Sequence, residues 1–360
     1  MLGLYNYMKA ENKVRTHNLP EEAPLVIGID LGGTQIRTAV LRGATLLSRV
    51  NLLTGENPSP ERVIPRMFES VEEALLKANI SLSQIAGIGI GAPGPLNGRT
   101  GIVYSPPNLP GWTNFPLRNA FAERFQIPIF VENDANAAAL GEHMFGAGKG
   151  SNEMVYVTVS TGVGGGVISQ GQLLQGITGS AAELGHMTID WHGPRCNCGN
   201  YGCLESFSSG TAIARQANEL ISLGKADDLL SYALAHQPAH ASANTPADNS
   251  TLAVTTPLHV NARMVAEAAL AGIPVAQQII TLAGEALGVG LVNILHIFNP
   301  ELIILGGGVS QIGAPLLDPA RRIMRERAMT VPCQSATIVM AQLGSDVGLV
   351  GAGSLVYYHQ

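Results

Sequence analysis

The feature that most constrains the fold is a strand–glycine turn–strand pattern that occurs twice in the chain. The first copy is residues 25–30 (LVIGID), the turn LGGT and residues 35–41. The second is residues 154–160 (MVYVTVS), the turn TGVGGG at 161–166 and a return strand at 167–169. Two such hairpins predict two similar lobes, each offering backbone N–H groups to a phosphate chain in the cleft between them. The alternative is that both are ordinary hairpins in which glycine supplies positive φ angles.

The residues after the first glycine turn exclude two other phosphate-binding motifs. In a Rossmann or P-loop motif the turn opens a helix, and the phosphate binds at the N-terminus of that helix. Residues 35–41 (QIRTAVL) are instead rich in β-branched and apolar side chains and begin with period-two alternation. This pattern predicts a second strand, so the first turn closes a hairpin.

Further along the chain, predicted strands alternate with predicted helices, which is typical of the α/β class. The predicted helices cover residues 61–78, 117–124, 135–144, 211–223, 275–296, 315–327 and a terminal segment from residue 346. The further buried strands are residues 85–90, 127–131, 301–310 and 336–340. Residues 237–257 are poor in large apolar side chains and rich in Pro, Ser, Thr and Asn. We expect them to form an exposed loop or insertion.

Composition and charge narrow the set of partners. The chain has 360 residues, 46% of them apolar, and its 21 basic and 27 acidic residues give a net charge of −6. The apolar fraction excludes a disordered chain, and the acidic balance without clustered cations argues against nucleic acid as a partner. The longest apolar run, residues 286–298, is shorter than the roughly 20 residues that span a bilayer. Because residues 1–24 also lack the pattern of a signal peptide, we expect a cytoplasmic protein with no membrane partner.

Three cysteines and a histidine form the most specific cluster in the sequence. His186, Cys196, Cys198 and Cys203 lie within residues 186–203 and match a tetrahedral zinc shell of three thiolates and one imidazole. Four protein ligands leave no open position, so we expect the zinc to be structural. A disulfide is the alternative, although a Cys196–Cys198 ring would be strained. His192 is an alternative to His186 as the fourth ligand.

Five polar residues are candidates for a site in the cleft. Asp134 follows a predicted strand and precedes an alanine-rich helix, so it could accept a proton from an attacking hydroxyl or cap the helix. Glu183 and Glu205 flank the metal segment and could hold vicinal sugar hydroxyls or lie inert on the surface. Asp30 ends the first strand and could hold Mg²⁺ or cap the turn. Asn108, in the stretch PPNLPGW, is a weaker candidate for contact with a substrate.

Together these residues resemble the ROK family of sugar kinases and sugar-responsive repressors over residues 24–358. The resemblance rests on GIDLGGT, GAPGP, VENDANAAALGE, STGVGGG, ELGH, CNCGNYGCLE and ILGGGV. The succession of ELGH and C-x-C-G-x-x-G-C-x-E is highly specific, whereas the glycine turns alone are not. Within the family, PPNLPGW and VENDANAAALGE are most similar to bacterial kinases that phosphorylate glucose with ATP.

The resemblance implies an actin-like fold, in which two lobes of the ribonuclease H type surround a cleft. Residues 1–24 would then be a lead-in, residues 25–133 the N-terminal lobe, and residues 134–345 the C-terminal lobe with the zinc segment at 186–203. Residues 346–360 would be a helix that returns to the N-terminal lobe. The resemblance also implies a homodimer or homotetramer.

The same resemblance assigns roles to individual residues. Asp134 would be the base that takes the proton from the sugar 6-hydroxyl, and His186 would place one ring nitrogen on zinc and the other on a sugar hydroxyl. Asn133, Glu183, His186 and Glu205 would hold the sugar ring, with Gly94 beside it. The shape of the loops around residues 94–96 and Asn108 would set which sugar is preferred. The phosphates of ATP, with Mg²⁺, would lie along Asp30, Gly32, Gly33, Thr34, Thr161 and Gly162. The adenosine would lie against Gly307 and Gly308.

Two functions therefore compete. The first is an enzyme that phosphorylates the 6-hydroxyl of a hexose with MgATP, with glucose first and an N-acetylhexosamine or fructose as alternatives. The second is a transcriptional repressor that senses a sugar with the same fold. Repressors of this family carry a helix-turn-helix before the sugar-binding lobes, and residues 1–24 are too few for such a module. We therefore expect the enzyme.

Overall fold

The computed structural model describes residues 23–106, 109–236 and 259–360. Asn108, the lead-in up to residue 22 and the predicted insertion at 237–257 lie outside the described residues. The strands are β1 Leu25–Leu31, β2 Gln35–Arg42, β3 Thr45–Leu46, β4 Val50–Leu53, β5 Ile85–Ala92, β6 Leu96–Asn97, β7 Ile102–Val103, β8 Phe115–Pro116, β9 Ile129–Asn133, β10 Met154–Val159, β11 Val163–Ser169, β12 Gln172–Leu173, β13 Leu302–Gly306 and β14 Thr337–Met340.

The helices follow the predicted alternation, with several short additions. They are α1 Pro60–Ala78, α2 Leu117–Phe125, α3 Asp134–Phe145, α4 Glu205–Ser208, α5 Gly210–Ser222, α6 Asp227–Ala235, α7 Ala262–Leu270, α8 Pro274–Phe298, α9 Ala314–Arg327, α10 Thr330–Ser335 and α11 Val347–Tyr358. Short 3₁₀ turns lie at Leu82–Gln84, Leu184–His186, Ser310–Ile312 and Gly344–Asp346.

Two large sheets repeat one topology. The first has the order β3-β2-β1-β5-β9, with β4 also on β2, and the second has the order β12-β11-β10-β13-β14. In each sheet a hairpin supplies an antiparallel pair, and its first strand then pairs in parallel with the next strand. The duplicated hairpins of the sequence therefore correspond to two sheets of similar architecture. A third, small sheet consists of β6, β7 and β8.

The second hairpin departs from the predicted boundaries. The glycine run at 161–166 was expected to be a turn, but β11 begins at Val163 and pairs with β10 through Gly164, Gly165 and Gly166. Packing explains why glycine occupies a strand here. A side chain at Gly165 would place its Cβ 2.7 Å from Leu184 Cγ, and one at Gly166 would lie 3.1 Å from Asn136 Cα.

Apolar faces of the helices cover both sheets. Val63, Met67 and Val71 of α1 are fully buried in one core with β1 and β5. Leu287 and Leu291 of α8 are buried in a second core with β10 and β13. By length and composition, α8 is the helix among the described residues that could cross a membrane, and 61% of its most apolar window is buried in the protein. This burial accounts for its apolar composition.

The C-terminal helix α11 returns to the first sheet. It packs on β1, β5 and α3, and the approach is close because the facing strand residues are Gly28 and Gly89, which are neighbours in the parallel register. A Cβ at Gly28 would lie 2.9 Å from Gly353 N, and one at Gly89 would lie 2.7 Å from the carbonyl carbon of Ala352. The sheet therefore accepts α11 only where the strands carry no side chain.

Candidate active site and metal centre

A cleft of about 460 Å³ opens where β1, β5, β9 and β10 end. Carboxyl ends of parallel strands meet at one edge of a sheet, which is where α/β proteins place their ligands. The structure brings most of the predicted sugar and phosphate residues together in the walls of this cleft. They are Asp30, Gly94, Asn133, Asp134, Thr161, Gly162, Glu183, His186 and Glu205.

The junction of β9 and α3 places Asp134 in the cleft and leaves its carboxylate available. Asn133 is the N-cap residue, and its Oδ1 accepts hydrogen bonds from Ala135 N at 2.9 Å and Asn136 N at 3.2 Å. Asp134 Oδ1 accepts from Ala135 N at 2.8 Å. Because Asn133 caps the helix, the Asp134 side chain is free to face the cleft from the first turn.

Asp134 sits where a negative charge is unfavourable. Its surface is open to the cleft, yet the surrounding walls displace most of the bulk solvent. That desolvation, with the negative charges of Asp30 and Glu183, raises the pKa of Asp134 from 3.8 to about 6 against the hydrogen bond from Ala135. A carboxyl group with this pKa is ionised at neutral pH and is a stronger base than an ordinary aspartate.

Asp30 is paired with a residue that the sequence analysis did not select. Its side chain forms an ion pair with Arg37 of β2, and Arg37 Nη1 also donates to Ser345 O at 2.9 Å. The β1–β2 register places Arg37 directly opposite Asp30, so the hairpin pattern contained the signal. Arg37 holds one carboxylate oxygen and leaves the other for a cation, a donor type that fits Mg²⁺.

Acidic groups form part of the wall. Glu183 and Asn133 both approach Gly94, where a Cβ would lie 3.8 Å from Glu183 Oε1 and 3.2 Å from Asn133 Nδ2. Burial raises the pKa of Glu183, the neighbouring His186 opposes this and Glu205 adds to it. Glu205 also accepts a hydrogen bond from Val163 N at 2.9 Å. The second hairpin and this acidic wall are thus one connected unit.

The four predicted metal ligands converge. All of their ligand atoms lie within 4.8 Å of one another, and His192 is not part of the group. Cys198 Sγ and Cys203 Sγ are 3.7 Å apart, and Cys196 Sγ is 3.7 Å from His186 Nδ1. These separations fit thiolates that share a tetrahedral zinc at about 2.3 Å, and they exceed the roughly 2.0 Å of a disulfide. Zinc on Nδ1 would leave His186 Nε2 for the cleft.

A second cavity of about 1100 Å³ adjoins the cleft and shares Ser160 and Thr161 with it. The N-terminus of α5 lies at this junction, where Thr211 Oγ1 donates to Thr161 O at 2.8 Å. Beyond it the accessible surface is mostly apolar, and the apolar lining residues are Ala214, Ala262, Ala266, Leu270, Val309 and Ile312. Polar side chains, among them Arg215, Asn218 and Glu267, also line this cavity. A cavity with a polar end and a mostly apolar remainder can hold a ligand that carries a charged group and a flat ring.

The remaining predicted residues are less central. Gly308 lines the second cavity, and Gly307 forms the turn before it with φ of +87°. Gly32, Gly33 and Thr34 form the turn of the first hairpin, which Thr54 holds through hydrogen bonds of 2.8 Å to Gly32 O and from its own N–H to Thr34 O. They do not line either cavity.

Fold and site together define a two-lobed, actin-like α/β protein with a cleft for a polar ligand. The ROK family profile matches residues 26–358. A glucokinase from Thermotoga maritima is 37% identical over 92% of this chain and 96% of its own. A xylose repressor from Caldicellulosiruptor bescii is 31% identical over 92% of this chain and 77% of its own. A ROK glucokinase from Streptomyces griseus, solved with glucose and AMPPNP, is 32% identical with a TM-score of 0.75 over 92% of this chain and 98% of its own. The chain belongs to the ROK family, and the predicted fold class is confirmed.

Proposed function

We propose that this protein transfers the γ-phosphoryl group of ATP to the 6-hydroxyl of a hexose, with glucose as the first substrate to test. The observation that carries the proposal is the position of Asp134. Its carboxylate lines the same cleft as the polar groups of Asn133, Glu183 and His186, and this cleft shares Ser160 and Thr161 with the second cavity. A base at that point can serve a hydroxyl directed at a phosphate.

Each side chain then has a defined task. Asp134 accepts the proton of the 6-hydroxyl while that oxygen is held in line with the γ-phosphate. Asn133 Nδ2, Glu183, Glu205 and His186 Nε2 hold the other hydroxyls, and the zinc cluster fixes the ring orientation of His186. The second hairpin, whose Thr161 and Gly162 line the cleft, would provide backbone N–H groups for the phosphates. The same role for the turn of the first hairpin, which lines neither cavity, rests on the family resemblance alone.

The proposed function involves two metal ions, Mg²⁺ and zinc. Asp30 would hold Mg²⁺ directly or through water, and Mg²⁺ bound with ATP supplies positive charge against the transferred phosphoryl group. His186, Cys196, Cys198 and Cys203 would hold the structural zinc. We also propose a cytoplasmic homodimer or homotetramer, for which the family resemblance is the support.

A sugar-sensing repressor is the second candidate, because the xylose repressor from Caldicellulosiruptor bescii matches 92% of this chain. The two candidates differ in one requirement. A sensor needs the sugar-holding groups alone, whereas a kinase also needs a base beside the phosphate site. The position and raised pKa of Asp134 favour the kinase.

A substrate panel tests the proposal. Glucose, N-acetylglucosamine, N-acetylmannosamine, fructose and xylose are each incubated with the purified chain and MgATP, and ADP release is measured by a coupled assay. ³¹P and ¹³C NMR then identify the phosphorylated position. We expect a 6-phosphate, formed fastest from glucose. Sugar binding in calorimetry without ADP release from any sugar would contradict the kinase and favour the sensor.

A further inference from the structure

Glu132 is a buried carboxylate that the proposed chemistry does not use. It is the residue before Asn133 in β9, and only 1% of its surface is exposed. A buried carboxylate is stable only when donors satisfy its oxygens. The identity of those donors therefore indicates what Glu132 is for.

The two oxygens of Glu132 have separate partners. Oε1 accepts hydrogen bonds from Asn133 N at 2.8 Å and from Asn136 Nδ2 at 3.1 Å. These donors belong to the strand end and first helical turn that carry Asp134. Oε2 accepts a hydrogen bond from Nε2 of Gln175, which comes from a different part of the molecule.

Gln175 belongs to the segment 174–183, which runs from β12 of the second sheet to Glu183 in the cleft. This segment rests on the loop around β6. Arg99 Nη2 donates to Ile177 O at 2.9 Å, and a Cβ at Gly179 would lie 3.0 Å from Leu96 O. The Arg99 contact is exposed, whereas the Glu132–Gln175 bond is partly buried. Glu132 and Gln175 therefore join the strand end that carries Asn133 to the segment that carries Glu183.

We propose that the Glu132–Gln175 hydrogen bond is a latch that sets the separation between Asn133 and Glu183, which makes Glu132 a positioning residue for the sugar. This inference rests on the proposed function, because it assigns Asn133 and Glu183 to one sugar. Asn133 leads directly from Glu132, and Glu183 ends the segment that Gln175 anchors. A change in the latch alters the site without touching the ligand.

Loss of Gln175 removes the hydrogen-bond donor to one oxygen of a buried carboxyl group. In Gln175→Leu the Oε2 atom of Glu132 has no hydrogen-bond donor while the segment 174–183 is docked. Undocking of the segment lets water reach this oxygen, so the variant favours the undocked state. Only the minority of molecules in which the segment is docked can then bind the sugar. The apparent affinity for the sugar is therefore reduced by the docked fraction. We expect glucose affinity to fall at least tenfold, with kcat and the KM for ATP within twofold of the wild type.

The separate roles of the two oxygens allow a rescue. In the double variant Glu132→Gln/Gln175→Glu, Oε1 of the new glutamine can still accept from Asn133 and Asn136, while its Nε2 donates to the new glutamate. The latch is restored with donor and acceptor exchanged. We expect glucose affinity to return to within about threefold of the wild type, which is below the tenfold step of 1.4 kcal/mol.

Isothermal titration of glucose without nucleotide, together with steady-state kinetics, tests the latch. Gln172→Leu is the matched control, since Gln172 is an exposed residue of the neighbouring β12. A wild-type chain that neither binds nor phosphorylates a hexose would overturn the proposed function. A kinase in which Gln175→Leu binds glucose like the wild type, or in which the double variant recovers nothing, would overturn the latch alone. If Gln175→Leu does not fold, Gln175→Glu alone, which sets two carboxyl groups against each other, is compared with the double variant. The single variant is expected to lose at least tenfold in glucose affinity and the double variant to recover it, and equal affinities would overturn the latch.

Discussion

At the scale of single residues, the charges around Asp134 govern the proposed chemistry. Asp30 and Glu183 face Asp134 and disfavour its ionisation, whereas Arg37 forms an ion pair with Asp30. Arg37 therefore offsets part of the repulsion that Asp134 experiences. The balance leaves a carboxylate that is ionised at neutral pH but close enough to its pKa to accept a proton.

The first prediction concerns pH. The pKa of Asp134 is raised from 3.8 to about 6, so protonation in mild acid removes the base. We expect kcat/KM for the sugar to fall about tenfold per pH unit below about 6. Initial rates measured from about pH 5 to 9 at saturating MgATP check this, and a rate that is constant down to pH 5 would count against Asp134.

Two arginine variants test whether Arg37 controls the acidic limb of the pH profile, which is the fall of kcat/KM below about pH 6. Arg37→Met leaves the charge of Asp30 uncompensated, so the limb is expected to move to higher pH. Arg49→Met removes a cation that pairs with Asp346 at 2.7 Å on the exposed surface near α11, and the limb is expected to stay in place. Equal shifts in both variants would indicate a general charge effect.

At the scale of elements, the α11 contact depends on glycines in two neighbouring strands. Gly89→Ala would bring a methyl group to 2.7 Å from the Ala352 carbonyl carbon, against backbone that cannot move independently of the helix. We expect the free energy of unfolding to fall by about 1–3 kcal/mol, the usual range for overpacking. Urea denaturation measures it. Gly91→Ala lies two residues along the same strand, where the nearest atoms are at 3.7 Å, and a similar loss there would contradict this explanation.

The zinc cluster predicts a second element-scale effect. We expect about one zinc per chain, and Cys198→Ala should lower Tm and weaken sugar binding, because structural zinc contributes directly to folding and orients His186. Metal analysis, thermal denaturation and glucose titration measure these quantities. Cys333→Ala is the control, since Cys333 is half-buried and lies outside the cluster. Zinc-free protein with full activity and an unchanged Tm would contradict the prediction.

Local patterns predicted the elements well where one physical cause dominates. Helical spacing gave α1 and α8 to within two residues, because each has a continuous apolar face. The glycine run in β11 was assigned to a turn because propensity says nothing of the Leu184 and Asn136 atoms that exclude a Cβ. The short helices α6 and α7 were not predicted at all.

The site residues likewise include some that the sequence pattern predicts and others that depend on tertiary packing. Motif residues at strand ends could be predicted to converge, since topology brings strand ends together. Gln175 could not be paired with Glu132 from sequence, because the bond joins residues 43 positions apart through the docking of one segment on another sheet. Arg37 lay between these cases: the hairpin register pairs it with Asp30, yet its role depends on the carboxylate's environment.

At the scale of the whole molecule, the cleft lies between two sheets that the chain connects twice. The connections are the segment between α3 and β10 and the segment between β14 and α11. Glu142, which is fully buried in α3, accepts hydrogen bonds from both, at 2.8 Å from Ala147 N and 2.8 Å from Leu343 N. Glu142 therefore links the two segments that connect the sheets on either side of the cleft.

The central claim is that this cleft performs phosphoryl transfer with Asp134 as the base. Asp134→Asn retains the size and the hydrogen bond to Ala135 N but cannot take the proton. Because the folded-state pKa of Asp134 lies above its usual value, the stability linked to its proton is present in acid and lost as pH rises through about 6. The Tm of Asp134→Asn at pH 8 should therefore not be lower than that of the wild type. Lost activity could not then be assigned to unfolding.

The most direct measurement is kcat for glucose phosphorylation in wild type and Asp134→Asn, with glucose affinity measured in parallel. We expect kcat to fall by at least about 100-fold, the usual scale of general-base catalysis, while affinity changes little. Glu205→Gln should show the opposite pattern, with a lower glucose affinity and a smaller change in kcat. If Asp134→Asn kept more than about a tenth of the wild-type kcat, the base would have to be another residue and the account of this cleft would be wrong.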